Sequence, residues 1–181
     1  IPIDIFIYQM IEKSTIQGLL GFFFQNPTGK FHLREISRLL KLSMPTVISA
    51  TDFLAKKSCI IKAKKGFITE VQANRESAYF IRQKRVYNLE SVYDSGVVDY
   101  LLKVYNHPKA IILFGSFSRA DDTEKSDVDI AVITKKKTNL NLSEYEKFLG
   151  KTISIHEVNL DKASKEFKLN LANGILLEGS W

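Results

Sequence analysis

The apolar run Ala110-Ile111-Ile112-Leu113-Phe114 stops at Gly115-Ser116, and after a short polar stretch a second one follows Ser126-Asp127-Val128-Asp129. The pattern predicts a strand, a tight Gly-Ser turn, a polar loop and a second strand that opens on two aspartates. Residues i and i+2 of a strand face the same way, so Asp127 and Asp129 present their carboxylates side by side. Adjacent carboxylates repel, and one tends to take up a proton. A hard divalent cation between them relieves that repulsion, and Mg²⁺ is usually held by one or two carboxylates plus substrate phosphates. The spacing therefore points to phosphate chemistry.

The turn supplies complementary groups. Gly115 permits a tight turn and a close backbone approach by a ligand. Ser116 adds a hydroxyl, and backbone N–H groups at such a turn hold phosphate oxygens. Arg119 has the planar fork that clamps phosphate. Gly115-Ser116, Arg119-Ala120 and Ser126-Asp127-Val128-Asp129-Ile130, in this order, resemble the signature of the nucleotidyltransferases of the DNA polymerase β superfamily, and most closely its minimal, standalone type. The resemblance covers roughly residues 95–181, and Ala120 stands where that family usually has glycine. It implies an NTP held by Gly115, Ser116, Arg119 and Ser126, with Mg²⁺ (or Mn²⁺) on Asp127 and Asp129. It also implies a third carboxylate on a neighbouring strand.

Ile155-His156-Glu157-Val158 aligns with that third position and places His156 where the family has aspartate, with Glu157 as the other candidate. Alternation predicts that Ile153 and Ile155 face the helices while Ser154, His156 and Val158 share the open face. Glu157 then points away unless a bulge re-aims it. A neutral imidazole suits transition metals better than Mg²⁺.

Composition narrows the classes. No apolar run approaches the ~18 residues of a membrane span, no signal peptide is evident, and the expected location is cytoplasmic. The single cysteine, Cys59, excludes an intramolecular disulfide and a Cys-rich zinc site, and reads as a small packing residue. The net charge of +6 is uneven: residues 1–78 carry eleven Lys/Arg against six Asp/Glu, and residues 79–181 carry fifteen against fourteen. A basic half joined to a near-neutral half suggests contact with a polyanion through the first.

In the N-terminal half, Ile16 to Phe24 is predicted as a buried helix ended by Asn26-Pro27-Thr28-Gly29. Phe31 and His32 form a short strand. Leu33, Ile36, Leu39 and Leu40 recur at helical spacing, and Ser43 caps a second helix whose buried stripe is Val47, Ala50, Thr51 and Leu54. Two strands follow around Lys64-Lys65-Gly66. This order resembles a winged helix-turn-helix over about residues 11–75. The resemblance implies that Thr46, Ser49 and Lys56 on helix 43–57, with Lys62, Lys64 and Lys65 on the hairpin, meet double-stranded DNA. It also makes a homodimer on two half-sites an expected assembly.

The expected fold is α+β: a winged helix-turn-helix over residues 1–78, a connecting helical segment over 79–106, and a small mixed-sheet nucleotidyltransferase-like domain over 107–181. The connector helix carries Leu89, Val92, Tyr93, Val97, Tyr100, Leu101 and Val104 on one face and ends at Asn106-His107-Pro108, with His107 a loop residue. Beyond the two signature strands come a helix at 143–149, a strand from Thr152 to Leu160, a helix from Asp161 to Asn173, and a short strand at 175–177. The helices are expected on one side of the sheet. Lys135-Lys136-Lys137 reads as a solvated loop or as an aid to a polyanionic substrate. Two functions fit: transfer of a nucleotidyl group to a protein or small-molecule acceptor, or DNA-binding regulation in which the transferase-like domain is a non-catalytic sensor or dimerisation module.

Overall fold

The computed structural model describes the backbone of residues 3–180 and the side chains of residues 14–64 and 66–180. The chain divides into two units, Ile1–Lys84 and Arg85–Trp181. The division falls inside helix α4 (Ala78–Asp94). Counted by unit, the charge separates further: thirteen Lys/Arg against six Asp/Glu in the first and thirteen against fourteen in the second.

The first unit runs α1 (Ile3–Gln25), β1 (Lys30–His32), α2 (Leu33–Leu40), α3 (Met44–Lys56), β2 (Ile60–Lys65) and β3 (Ile68–Ala73). Its antiparallel sheet has the order β1-β3-β2. Lys41 closes α2 at φ 54°, in the left-handed region. Three residues later α3 begins, with the Ser43 hydroxyl accepting the Thr46 N–H at 3.3 Å. Such a cap satisfies a backbone donor that the helix leaves orphaned and is worth about 1 kcal/mol. Val47, Ala50, Thr51 and Leu54 are all buried, beside Leu19, Phe23, Ile36, Ile60 and Val71. Thr51 is tolerated there because its hydroxyl donates to the Val47 carbonyl at 2.7 Å. Cys59 is fully buried, and burial pushes its thiol pKa up, which suits a packing residue. Gly66, at φ 61°, lets β2 and β3 close around a two-residue turn, with Lys65 opposite Ile68.

The second unit continues from α4 through α5 (Val97–Tyr105), β4 (Ala110–Phe114), α6 (Gly115–Arg119), β5 (Val128–Ile133), α7 (Ser143–Leu149), β6 (Ile153–Val158), α8 (Lys165–Ala172) and β7 (Ile175–Gly179). The sheet order is β6-β5-β4-β7; β5 and β6 are parallel and the other pairs antiparallel, so this is a mixed sheet in an α+β unit. Ile111, Leu113, Val128, Ile130, Val132 and Ile153 pack with Val97, Val98, Leu101 and Tyr105 on one face. Ala110, Ile112, Phe114, Ala131, Ile133 and Val158 pack with Leu171 and Phe167 of α8 on the other.

Several expectations shift. The helices are not confined to one side, because α8 packs Phe167 and Leu171 against the second face, where Val158 is buried. The helix expected from Leu89 to Val104 is two helices. Gly96 adopts φ 78° between them, a conformation that ends α4 at little cost only for glycine. The apolar period runs on across the break because both helices bury a face in the same cluster. The residues after Gly115 form the short α6 instead of a loop. The last helix starts at Lys165, where the Ser164 hydroxyl accepts the Phe167 N–H at 3.2 Å. No helix among the described residues is long and apolar enough to cross a membrane.

Candidate functional site

The two sequence features meet because β4 and β5 are antiparallel neighbours: Phe114, the last residue of β4, lies opposite Asp129, the second of β5. Gly115 follows at φ 73°, and a Cβ built on it would collide with the Asp129 carboxylate. Only glycine meets both demands, a left-handed backbone and the close approach of a charged group. Turn and aspartates thus form one structural unit.

Asp127 is exposed and Asp129 half-buried, on the same face of the sheet. On the parallel neighbour β6, Asp129 pairs with Ser154 and Ala131 with His156. The Ser154 hydroxyl lies 3.4 Å from Asp127 Oδ2, and His156 Nε2 lies 3.2 Å from Asp129 Oδ1. Phe114 sets the imidazole edge-on at 5.0 Å between ring centroids, and Phe167 stands 6.2 Å away. His156 therefore stands against Asp129 with its side chain 40% exposed.

Glu157 does not join them. The β5–β6 register is regular, so Glu157 points through to the other face of the sheet. There its Oε1 accepts the Tyr105 hydroxyl at 2.7 Å and the Thr138 N–H at 2.7 Å. Burial, followed by the hydrogen bond and the charge of Glu157, drives the Tyr105 pKa upward. Placing Glu157 with Asp127 and Asp129 as a catalytic residue is corrected on this geometry: a strand without a bulge cannot bring residue i+1 to the face of residue i.

The other expected groups divide. Ser116 is half-buried at the turn, and its carbonyl accepts the Asp121 N–H at 3.0 Å. Arg119 is exposed, and its Nε donates to Asp121 Oδ2 at 3.0 Å, a partner that an incoming phosphate must displace. The Ser126 hydroxyl accepts the Thr123 N–H at 2.9 Å and is engaged in shaping the loop. Among the described residues, no group of three or more His, Cys, Asp and Glu side chains is gathered as a metal site. Asp127 and Asp129 supply two hard oxygen donors, so any Mg²⁺ on them takes its remaining ligands from water or from a phosphate.

Sequence reading missed the groups that hold the loop between α6 and β5. Asp122, 1% exposed, takes the Asn88 amide on Oδ1 at 2.8 Å and pairs with Lys151 at 3.5 Å. Asn88 also donates to the Phe117 carbonyl at 2.9 Å, and Lys151 to the Thr123 carbonyl at 2.6 Å. Asn88 interrupting an apolar helix face is the one signal that pointed to this.

In the first unit, Ser49, Lys56 and Lys64 are exposed and Thr46 is half-buried. Lys62 is turned inward: its Nζ meets Asp52 Oδ1 at 2.6 Å and Thr51 Oγ1 at 3.1 Å, with the side chain 19% exposed. Its charge is already neutralised, which corrects its expected place beside Lys64. The side chain of Lys65 lies outside the described residues.

Residues 98–179 match the family model described as Polymerase beta, Nucleotidyltransferase. The match supports a nucleotidyltransferase domain within the second unit, and the mixed sheet and its flanking helices fit a polymerase β-like domain. Comparison with curated proteins and with solved structures gives no significant match.

Proposed function

We propose that the second unit binds a nucleoside triphosphate together with a divalent cation at the end of the sheet where β4 stops and β5 begins. The observation that carries this reading is the packing of the Gly115 turn against the Asp129 carboxylate, which leaves a bare backbone beside two acids, Asp127 exposed and Asp129 half-buried. Gly115 and Ser116 present backbone N–H groups and a hydroxyl to the phosphates, and Arg119 swings from Asp121 to join them. Asp127 and Asp129 hold Mg²⁺ or Mn²⁺, which when bound neutralises and orients the phosphates. An acceptor hydroxyl, on a protein or a small molecule, attacks the α-phosphorus in line. The new O–P bond forms as the bond to the β-phosphate oxygen breaks and pyrophosphate leaves. The hydroxyl proton passes to water, since Glu157 is turned away and His156 stands where a third carboxylate would.

That replacement favours a second reading, in which the site binds nucleotide without turnover and serves as a sensor for a DNA-binding first unit. Support for the DNA part is the first unit's thirteen Lys/Arg against six Asp/Glu. Its helix–strand–helix–helix–hairpin order also suits a winged helix-turn-helix, with α3 read as the major-groove helix. Thr46, Ser49 and Lys56 of α3, with Lys64 and Lys65 of the hairpin, are the proposed contacts.

Incubation with α-labelled NTP, Mg²⁺ or Mn²⁺ and cell lysate separates the readings. Label transfer that disappears in Asp127→Asn or Asp129→Asn supports catalysis. Nucleotide binding without transfer supports the sensor, and neither one refutes the site. For the first unit, removing Lys64 and Lys65 is expected to lower the magnitude of the log–log salt slope of DNA binding by about 2. No binding at low salt ends the DNA reading.

A further inference from the structure

The face of the second unit's sheet that carries Asp127 and Asp129 also carries a packed helix. Residues paired across neighbouring strands share a face. Phe114 pairs with Asp129, Ala131 with His156, and Ile133 with Val158, so all of these lie on the side of the two acids. Helix α8 packs on that same side through Phe167 and Leu171. The carboxylates therefore share their face of the sheet with the first turn of α8.

Aromatic rings connect the acids to that helix. His156 Nε2 lies 3.2 Å from Asp129 Oδ1, and the Phe167 ring follows 6.2 Å from the imidazole, tilted by 44°. Phe114, 6% exposed, supports both rings and stands steeply to each, at 5.0 Å from His156 and 5.7 Å from Phe167. The backbone of Phe167 is fixed as well, because the Ser164 hydroxyl that caps α8 accepts its N–H at 3.2 Å. Phe114 is closed to solvent, whereas His156 and Phe167 are both partly exposed. At this separation and tilt the two rings do not stack face to face, so neither takes up the other's π-face.

We propose that His156 and Phe167 form the shelf on which the base of the nucleoside triphosphate stacks, and that this shelf selects purines over pyrimidines. The inference deepens the nucleotide reading of the Gly115–Asp129 site and rests on it. One sugar ring separates the base of a nucleotide from its phosphates, and one imidazole separates Phe167 from Asp129. A nucleotide with its phosphates at the carboxylates thus brings its base to the aromatic pair. Stacking on an aromatic side chain accepts every base, since each has a π-face. It discriminates by the area covered, and a two-ring purine covers more of the pair than a one-ring pyrimidine. The imidazole in the third carboxylate's place then serves the base.

Isothermal titration of the full chain in saturating Mg²⁺ with ATP, CTP and inorganic tripolyphosphate tests the assignment. Tripolyphosphate reports on the cation and phosphate groups alone. ATP should bind several-fold tighter than CTP. Phe167→Ala should weaken ATP about tenfold, the size of one lost base–aromatic stack, and leave tripolyphosphate within twofold. Phe167→Trp, which keeps a flat ring at the position, should hold ATP at least as tightly as the parent. Equal weakening of ATP and tripolyphosphate in Phe167→Ala overturns the proposal, because the ring then only supports the fold. So does ATP affinity that is unchanged in Phe167→Ala, or CTP that binds as tightly as ATP. Failure of both ATP and tripolyphosphate to bind the parent overturns the nucleotide reading itself and the shelf with it.

Discussion

Replacing Gly115 with alanine tests whether turn and carboxylate form one unit. Two penalties combine. A non-glycine residue at φ 73° pays roughly 1–2 kcal/mol for the left-handed backbone, less about 0.4–1 kcal/mol returned by stiffening the unfolded chain. The new Cβ then meets the Asp129 carboxylate and forces it off its contact with His156, worth about 1 kcal/mol. Gly150 provides the control in the same unit. It adopts φ 65° with nothing within 4 Å of a built Cβ, so Gly150→Ala pays the backbone term alone. Urea unfolding followed by circular dichroism should show Gly115→Ala destabilised by roughly 2 kcal/mol and Gly150→Ala by about half of that. Mn²⁺ affinity, read by water-proton relaxation, should fall only in Gly115→Ala. Equal stability losses with unchanged Mn²⁺ affinity in both would falsify the coupling.

Three further outcomes follow from the same unit. Ala120 is held at φ 64°, so Ala120→Gly should be neutral or stabilising by up to about 1 kcal/mol, against the usual 0.5–1 kcal/mol loss for such a change in an element; a loss above 1 kcal/mol in urea unfolding contradicts the strain. Lys151→Met removes the ammonium 3.5 Å from the buried Asp122 and should cost roughly 1.5–3 kcal/mol, read as a lower thermal midpoint; an unchanged midpoint means the pair is idle. The pKa of Tyr105 is raised, so above about pH 10 the unfolded chain releases this proton first and stability falls as pH rises further. Tyr105→Phe should flatten that alkaline decline, and equal slopes in the two proteins would argue against it.

Local features were legible wherever one residue type solves one backbone problem. Ser43 as a cap, the Val47-Ala50-Thr51-Leu54 stripe and the all-buried strand Ala110–Phe114 all follow from short-range periodicity and capping chemistry. Gly96 shows where that reasoning fails, since an apolar period counts faces and passes over a change of helix direction. The covering of the second face by α8 was equally hidden, because Phe167 and Leu171 find Phe114 and Val158 only after the strands assemble. Lys62 read as a free cation because nothing local reveals a partner ten residues back, Asp52.

The sequence by itself determined a Gly-Ser turn at the end of one strand and two aspartates on one face of another, since strand alternation and glycine's freedom at positive φ are properties of single residues and their neighbours. Tertiary structure decided what stands around that pair. The parallel register of β5 and β6 set His156 against Asp129 and sent Glu157 to Tyr105, and long-range contacts from Asn88 and Lys151 to Asp122 fixed the loop between α6 and β5. Register and partner choice depend on which strands become neighbours, and only the folded chain settles that.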